Sequence, residues 1–328
     1  MNIFPVIDST LSAKHLGVWV AEKYALAAET TCRLFRTNMN HTYLVTASGK
    51  KYVLRVYSHN KRTATEIAEE IRLLNLLKDS DIDVSYPLPD KDGTYMQLIN
   101  APEGERAAVL FSFGEGGKVR NLTEELSYAI GAMMAKIHQR ALHEQLNRTK
   151  YSIHHLAELP YQHMKAFFSE SLEEMKFVKA AGTLLNSVFD KDTAARIRAG
   201  VVHLDIWYDN MSITDNGRIT LFDFDNAGNG WCVLDIGYFC IQLFYVEQDK
   251  AVYEQKLENF LQGYQQLASV SEDELKLIPY AGLAIWIYYL GVQAERFDNF
   301  SNIFYTENYL KMYLGKVKQW LNYHAIEV

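Results

Sequence analysis

The sequence has 328 residues, enough for one large domain or two coupled lobes with a sizeable buried core. With 48% hydrophobic and 22% charged residues, the composition excludes a disordered or fibrous chain. The net charge of −7, and the lack of any stretch that interleaves aromatic and basic residues, argue against a nucleic-acid partner.

The first elements along the chain are strands and turns, followed by a helix. Segments 43–46 and 52–57 have the composition of strands, and the Ser-Gly-Lys at 48–50 predicts a tight turn between them. The segment 63–66, Thr-Ala-Thr-Glu, matches a capping box that starts a helix. The apolar side of this helix is predicted to consist of Ile67, Ile71, Leu74 and Leu77.

Residues 107–111 predict a further strand, and the Gly-rich segment 112–117 then marks a boundary, which we predict to be the hinge between two lobes. Beyond residue 120 the periodicity is mostly helical, and Thr123 is the predicted N-cap of the first helix. We therefore predict an α+β protein: an N-terminal lobe, residues 1–111, with an antiparallel sheet and one helix, and a larger, mostly helical lobe, residues 118–328. Further helical patterns cover 155–199, 249–268, 272–296 and 304–323.

Three features bear on location in the cell. Cys32, Cys232 and Cys240 are too scattered for a disulfide framework or a zinc site, which is typical of a reducing compartment. The first seventeen residues lack the pattern of a signal peptide. The longest apolar stretch, 278–292, is short for a membrane span and contains Pro279, so we interpret it as a buried helix. The expectation is a soluble, cytoplasmic protein.

The segment 201–225 interrupts the helical pattern and predicts a hairpin. Its turn signal is Asp-Asn-Gly at 215–217. A three-residue loop there pairs Ile213 with Ile219, and the preceding Met211 with Leu221, on one apolar face. Asn210 and Asp223 then come together at the open end of the hairpin.

Two oxygen-bearing side chains at this separation suit a hard cation such as Mg²⁺, which takes few protein ligands and completes its octahedron with phosphate and water. Asp205 precedes Asn210 by five residues and lies in the turn that leads to the same end. A carboxylate there can orient a hydroxyl or accept its proton. This combination of groups is the one that phosphoryl transfer needs.

Two segments resemble the catalytic and metal motifs of the aminoglycoside phosphotransferase and choline kinase superfamily. They are His203-Leu-Asp205 through Asn210, and Phe-Asp-Phe-Asp at 222–225. The resemblance covers most of the chain. It implies a bilobal protein-kinase-like fold that uses ATP and Mg²⁺, with Asp205 as catalytic residue and Asn210 and Asp223 as metal ligands. It implies that His203 braces the loop, while Asp225 either assists the metal or satisfies backbone groups.

The same resemblance assigns residues in the N-terminal lobe. Arg55 stands where kinases usually place the phosphate-binding Lys, and a guanidinium can retain that role. Its expected partner on the following helix is Glu70, with Glu66 and Glu69 as alternatives. Strand alternation predicts that Arg55 points inward, on the face shared with Val53 and the last residue of its strand.

The nucleotide-binding residues are less clearly marked. No Gly-rich phosphate loop is present, and the polar segment 36–42 stands in its place, with Asn38 and Asn40 as candidate turn residues. The resemblance implies that adenine binds backbone groups near Ser112, with Phe111 behind the base. Phe113 is a further candidate contact, although both aromatic side chains are equally consistent with ordinary core positions.

Only eleven residues separate Asp223 from Asp235, without an Ala-Pro-Glu sequence, which favours a small acceptor over a peptide. The acidic balance favours an amino-bearing or cationic acceptor, such as an aminoglycoside or another antibiotic, choline or an amino alcohol. Candidate acceptor-binding carboxylates are Asp209, Asp225 and Glu295. The alternative function is a catalytically inactive nucleotide-binding regulator of the same fold. The alternative phosphoryl donor is GTP.

Overall fold

The computed structural model describes residues 4–296 and 303–328. The chain divides into two compact units, Met1–Glu115 and Gly116–Val328. The division falls within the segment 112–117 that the sequence predicts as a hinge.

Unit 1 is built on a six-stranded antiparallel sheet. Strands β1, β2 and β3 follow one another, β6 lies beside β3, and both β4 and β5 pair with β6. The strands are β1 (Thr31–Thr37), β2 (Asn40–Ala47), β3 (Lys50–Tyr57), β4 (Pro87–Leu88), β5 (Met96–Ala101) and β6 (Gly104–Ser112). Of these, the sequence predicts β2, β3 and β6.

Two helices pack in unit 1, α1 (Ala13–Lys23) and α2 (Ala64–Lys78). The predicted single helix is corrected to two, because the short apolar side of α1, Leu16 and Val20, gives too weak a period to be recognised. In α2 the Thr63 side chain accepts from the Glu66 amide, and the Glu66 carboxylate accepts from the Thr63 amide. This is the predicted capping box.

Unit 2 is mostly helical, with two small two-stranded sheets. The antiparallel pairs are β7 (Ala199–Val202) with β10 (Gly228–Trp231), and β8 (Met211–Ile213) with β9 (Ile219–Leu221). Its helices are α3 (Glu124–Ala141), α4 (Leu159–Met164), α5 (Glu173–Val188), α6 (Lys191–Arg196), α7 (Val233–Val246), α8 (Lys250–Gln265), α9 (Glu272–Glu295) and α10 (Glu307–Tyr323), with a π-helical turn at His154–Glu158. The predicted helical region 155–199 is thus three separate helices.

Helices α3 and α8 approach closely because glycines lie at their contact. A Cβ at Gly131 would overlap with the backbone of Phe260, and a Cβ at Gly263 would overlap with the backbone of Tyr128. The two glycines therefore let the backbones of α3 and α8 touch. His138 near the end of α3 and Tyr264 near the end of α8 are in contact.

Helix α9 contains the longest apolar stretch of the sequence, residues 278–292, with Pro279 inside it. Its length and composition would allow it to cross a membrane, yet 67% of its most apolar window is buried within the protein. It packs against α7, which is itself almost wholly buried. Core helices of globular proteins have this character, as we predict for this segment.

Candidate active site

The hairpin of β8 and β9 positions the two predicted metal ligands. Its register is the predicted one, with Met211 facing Leu221. The Phe222 amide donates to the Asn210 carbonyl over 3.0 Å, so Asp223 lies one residue beyond the position that faces Asn210. Asp223 has a φ of +67°, which is the left-handed region. The chain therefore turns sharply at this carboxylate.

Asp205 is joined to the same place by hydrogen bonds. The Asn210 Nδ2 donates to Asp205 Oδ2 over 2.7 Å and to the Asp205 carbonyl over 3.0 Å, so Oδ1 is the amide atom left to ligate a cation. The Tyr238 hydroxyl donates to Asp205 Oδ1 over 2.9 Å. Desolvation, and then the nearby Asp223 carboxylate, raises the pKa of Asp205 to about 7. A carboxylate with a pKa near neutrality is suited to proton transfer.

His203 braces the turn that carries Asp205. The Asp205 amide donates to His203 Nδ1 over 3.1 Å, and the other ring nitrogen lies 3.2 Å from the Phe222 carbonyl. Because an amide can only donate, Nδ1 accepts and Nε2 carries the proton that binds the carbonyl. Burial lowers the pKa of His203, which favours this neutral form. The imidazole thus connects the Asp205 turn with the strand end before Asp223.

Asp235 at the start of α7 holds the other side of this turn. Its carboxylate accepts from the backbone amides of His203 (2.9 Å) and Leu204 (2.6 Å) and from His138 Nε2 (3.0 Å). Burial alone would raise the pKa of Asp235, but the hydrogen bond from His138 and the backbone hydrogen bond from His203 hold it below its ordinary value. Leu204 has a φ of +65°, and these hydrogen bonds stabilise that strained backbone.

The segment after Asp223 is held by the connection between α3 and the π-helical turn. Arg148 donates to the carbonyls of Phe224 (3.0 Å) and Asp225 (2.6 Å), and the Tyr151 hydroxyl donates to the Asn226 carbonyl (2.7 Å). Nothing in the sequence around Arg148 and Tyr151 signals this role, since they lie in an irregular segment and act across more than seventy residues.

Two tyrosines enclose the catalytic turn. The Tyr289 hydroxyl donates to the Leu204 carbonyl over 3.2 Å, and its ring lies 5.6 Å from that of Tyr238. Burial, followed by the Asp205 charge, raises the pKa of both hydroxyls, so both stay protonated and can donate. Neither tyrosine is singled out by the sequence: Tyr289 lies in an aromatic run, and Tyr238 lies three residues after Asp235 in α7.

The three carboxylates predicted to bind the acceptor have different surroundings. Asp209 forms an ion pair with Lys118. Asp225 is buried, whereas Glu295 is exposed on the last turn of α9. Burial lowers the pKa of Arg296, and the carboxylates of Asp225 and Glu295 oppose this effect, which places a guanidinium near both. Their binding to an acceptor remains a prediction.

In unit 1, Arg55 and Glu70 form the predicted contact. Arg55 Nη1 lies 2.7 Å from Glu70 Oε1, and the Tyr57 hydroxyl donates to Glu70 Oε2 over 3.1 Å. The Glu70 side chain is 1% exposed and that of Arg55 is 13% exposed. The guanidinium also lies 5.2 Å from the ring centre of Phe111. The inward orientation of Arg55 is confirmed, while its binding of phosphate is a proposal.

The alternative partners of Arg55 have other roles. Glu66 belongs to the capping box of α2 and pairs with Arg62. Glu69 pairs with Arg72 on the outer side of the helix. The structure therefore selects Glu70 among the three glutamates.

The predicted phosphate loop is the turn between β1 and β2. The backbone amide of Asn38 donates to the backbone carbonyl of Asn40 over 3.2 Å. The side-chain oxygen of Asn40 accepts from the backbone amide of Ser58 over 3.3 Å. Neither asparagine has a positive φ. The Asn40 side chain is thus engaged by the backbone after β3, and the part of this turn that could face a phosphate is its backbone.

At the predicted adenine site, the backbone of Ser112 is already engaged. Its amide donates to the Tyr86 carbonyl over 2.8 Å, and its carbonyl accepts from the Ser85 hydroxyl over 2.6 Å. The amino group of Lys51 lies over the Phe113 ring, 5.2 Å from its centre. Hydrogen bonds to adenine are therefore expected from Phe113 and the residue after it rather than from the Ser112 amide.

The donor set fits a cation that is shared with a ligand. Within residues 4–296 and 303–328, no group of three or more His, Cys, Asp or Glu side chains could hold a metal ion by itself. Asn210 and Asp223 together offer one amide oxygen and one carboxylate. This is the small oxygen set that Mg²⁺ uses when phosphates and water complete its coordination.

The chain is similar in sequence or in fold to several known proteins. A protein of Synechocystis sp., sll1119, is 29% identical over 97% of this chain and 88% of its own length. The structure of a microcompartment-associated aminopropanol kinase has a TM-score of 0.77 and 20% identity, covering 95% of this chain and 97% of that one. Amicoumacin kinase hAmiN in complex with AMP-PNP and Ca²⁺ has a TM-score of 0.74 and 20% identity, covering 94% and 92%.

The two solved structures show that the fold is that of the small-molecule kinases, α+β as predicted. The model of the phosphotransferase enzyme family matches residues 31–270, which is most of the chain and contains every group in the hairpin, the catalytic turn and the Arg55–Glu70 pair. The chain therefore belongs to the phosphotransferase enzyme family.

Proposed function

We propose that this protein is a kinase that transfers the terminal phosphoryl group of ATP to a hydroxyl of a small, amino-bearing molecule. The observation that carries the proposal is the position of Asp205. It is held by Asn210 and Tyr238, lies near Asp223, and has a pKa of about 7. Membership of the phosphotransferase family supports the reaction class.

In this proposal Asp205 orients the acceptor hydroxyl and accepts its proton as the hydroxyl oxygen bonds to the terminal phosphorus and the bond from that phosphorus to the leaving ADP oxygen breaks. Asn210 Oδ1 and the Asp223 carboxylate would hold Mg²⁺, which when bound neutralises charge on the phosphates. The complex of amicoumacin kinase with AMP-PNP and Ca²⁺ supports the use of a nucleotide with a divalent cation. His203, Asp235 and Arg148 keep the backbone of both carboxylates in place.

Unit 1 would supply the nucleotide contacts. Arg55 donates to phosphate oxygens while Glu70 fixes its guanidinium, and charge-assisted hydrogen bonds of this kind are strong. The backbone of the turn at Asn38 and Asn40 is proposed to face phosphate. Phe111 and the segment 112–114 are proposed to bind adenine.

An amino-bearing acceptor is supported by two observations. The names of the solved structures with the same fold, aminopropanol kinase and amicoumacin kinase, indicate small acceptors, the first of them an amino alcohol. In this chain, the carboxylates of Asp209, Asp225 and Glu295 all belong to unit 2, and the Tyr238 hydroxyl and the neighbouring Tyr289 ring lie beside Asp205. Aromatic faces and carboxylates both favour a cation.

The proposal is tested by measuring ATP consumption with aminoglycosides, other amine-containing antibiotics, choline and amino alcohols as acceptors. With an active acceptor, Asp205→Asn should lower turnover by about 10²–10⁴-fold while AMP-PNP binding is retained, because it removes the base and leaves the nucleotide contacts. The matched control is Asp215→Asn at the exposed tip of the hairpin, which should keep wild-type turnover. Turnover near wild type in Asp205→Asn would refute the assignment, and nucleotide binding without turnover of any acceptor would favour the inactive regulator.

A further inference from the structure

A continuous line of buried hydrogen bonds runs through unit 2 behind the catalytic turn. Arg198 Nη1 lies 3.1 Å from the Tyr264 hydroxyl, which lies 2.7 Å from His138 Nδ1. His138 Nε2 lies 3.0 Å from Asp235 Oδ2. The three inner residues are at most 1% exposed, so water does not compete for these bonds.

The direction of every bond in this line follows from the groups at its ends. A guanidinium can only donate and an ionised carboxylate can only accept. The Tyr264 oxygen therefore accepts from Arg198, and its proton is donated to His138 Nδ1. His138 is then the tautomer that carries its proton on Nε2 and donates it to Asp235. Burial raises the pKa of Tyr264, so the hydroxyl keeps the proton that it donates.

The line closes into a ring around strand β7. Arg198 immediately precedes β7, and His203 and Leu204, whose amides donate to Asp235, immediately follow it. Both ends of the strand are thus attached to the same line of hydrogen bonds. Asp205 is the next residue after the second attachment.

The ring has a fixed outer end. Glu274 Oε1 accepts from the Arg198 amide over 3.1 Å and from Arg198 Nε over 2.8 Å. Glu274 also accepts from the Ser271 amide in the capping box that starts α9. Arg198 is therefore held by the start of α9, and Tyr264 lies between this anchor and His138.

We propose that Tyr264 is a positioning residue for catalysis, acting through His138 and Asp235 on the backbone at His203 and Leu204. Its hydroxyl makes the hydrogen bonds that join the two halves of the ring. Without it, His138 Nδ1 loses its donor, Asp235 is oriented less firmly, and the strained Leu204 backbone can relax. A small displacement of Asp205 is enough to reduce catalysis strongly. The catalytic part of this inference depends on the proposed function.

The test is Tyr264→Phe in the full chain, which removes the hydroxyl and keeps the ring. The matched control is Tyr253→Phe on the same helix, because the Tyr253 hydroxyl is buried and has no hydrogen-bond partner within the described residues. Amide hydrogen exchange is measured at His203 and Leu204, with the melting temperature of each variant. With an active acceptor, kcat and the KM for ATP are measured as well.

In Tyr264→Phe we expect exchange at His203 and Leu204 to be about tenfold faster, the size of effect expected when one buried hydrogen bond is lost. We expect kcat to fall about tenfold with the KM for ATP unchanged, whereas Tyr253→Phe should change neither. Unchanged exchange at the His203 and Leu204 amides would overturn the inference. A lower melting temperature with equally faster exchange throughout the chain would also overturn it, because the hydroxyl would then stabilise the whole fold rather than these two amides.

A second variant keeps the inference testable if Tyr264→Phe folds poorly. Arg198→Lys retains a positive charge beside Glu274 but cannot reproduce the planar fork that bonds Glu274 and Tyr264 together. The same two amides should exchange faster in this variant, and unchanged exchange would again contradict the ring. Hydrogen exchange requires no acceptor, so it tests the ring even if the proposed function is wrong. Failure of the proposed function would appear as no turnover by the wild-type protein, whereas failure of the ring would appear as unchanged exchange in the variants.

Discussion

Arg55 and Glu70 offer the sharpest quantitative test of the nucleotide-binding unit. Arg55→Ala leaves the Glu70 carboxylate 1% exposed with the Tyr57 hydroxyl as its remaining neutral donor. Removing one partner of a buried ion pair usually costs about 3–5 kcal/mol. Since one carboxylate oxygen keeps its hydrogen bond to Tyr57, we expect the lower end, about 3 kcal/mol of unfolding free energy.

Replacing Glu70 rather than Arg55 should lower the unfolding free energy by less. Glu70→Gln keeps the shape of the side chain and its contact with Tyr57, and the 13% exposed Arg55 can turn toward water. We expect a loss of about 1–2 kcal/mol, the value for a charged hydrogen bond that is replaced by a neutral one. Arg55→Lys should fall between wild type and Arg55→Ala, since it keeps the charge and loses the fork.

Urea denaturation with and without AMP-PNP and Mg²⁺ measures both quantities, stability and nucleotide affinity. The control is Arg72→Ala, which breaks the more exposed Arg72–Glu69 pair on the same helix and should cost less than about 0.5 kcal/mol. Arg55→Ala and Glu70→Gln should both weaken nucleotide binding, although Glu70 is proposed not to touch the nucleotide. Nucleotide affinity at wild-type level in Arg55→Ala would refute the phosphate role, and a stability loss no larger than that of the control would refute the energetic reasoning.

Three further predictions concern unit 2. Asp223→Ala should abolish the Mg²⁺-dependent thermal stabilisation by AMP-PNP. Asn210→Ala should only weaken it, because an amide binds a hard cation less strongly than a carboxylate does. Equal losses of stabilisation in the two variants would contradict these roles. Arg148→Met should lower the unfolding free energy in urea by about 2 kcal/mol, because two carbonyls lose a charged donor; no loss would contradict this. Burial lowers the pKa of His324 to about 4, so the unfolded chain binds more protons between pH 6.5 and 4. Stability should fall by about 2–3 kcal/mol as the pH is lowered through this range, and His324→Leu should make the measured fall smaller by that amount.

Local sequence signals were sufficient for the parts of the site that are close together in the chain. The hairpin register follows from a turn signal at 215–217 and an apolar alternation on either side of it. The approach of Arg55 to Glu70 follows from strand alternation and a capped helix, both of which are short-range rules. In each case the partners are within about twenty residues of one another.

The remaining parts are long-range and have no local signal. Tyr238 reaches Asp205 across 33 residues, and Arg148 reaches the Asp225 carbonyl across 77. Strand β1 was not predicted because it lies at the sheet edge with nearly all of its side chains exposed, so it shows no alternation. Such contacts depend on how helices and strands pack, which the periodicity of one segment does not encode.

Backbone strain explains why the catalytic turn needs so many distant partners. Leu204 and Asp223 both have positive φ, although neither is glycine, and each such residue costs about 1–2 kcal/mol. One precedes the proposed base, and the other is a proposed metal ligand. The amide hydrogen bonds to Asp235 and the imidazole of His203 oppose relaxation at these two points. The geometry of both carboxylates therefore depends on α3, α7 and α8 as much as on the motif itself, and a motif match alone does not establish activity in a chain of this family.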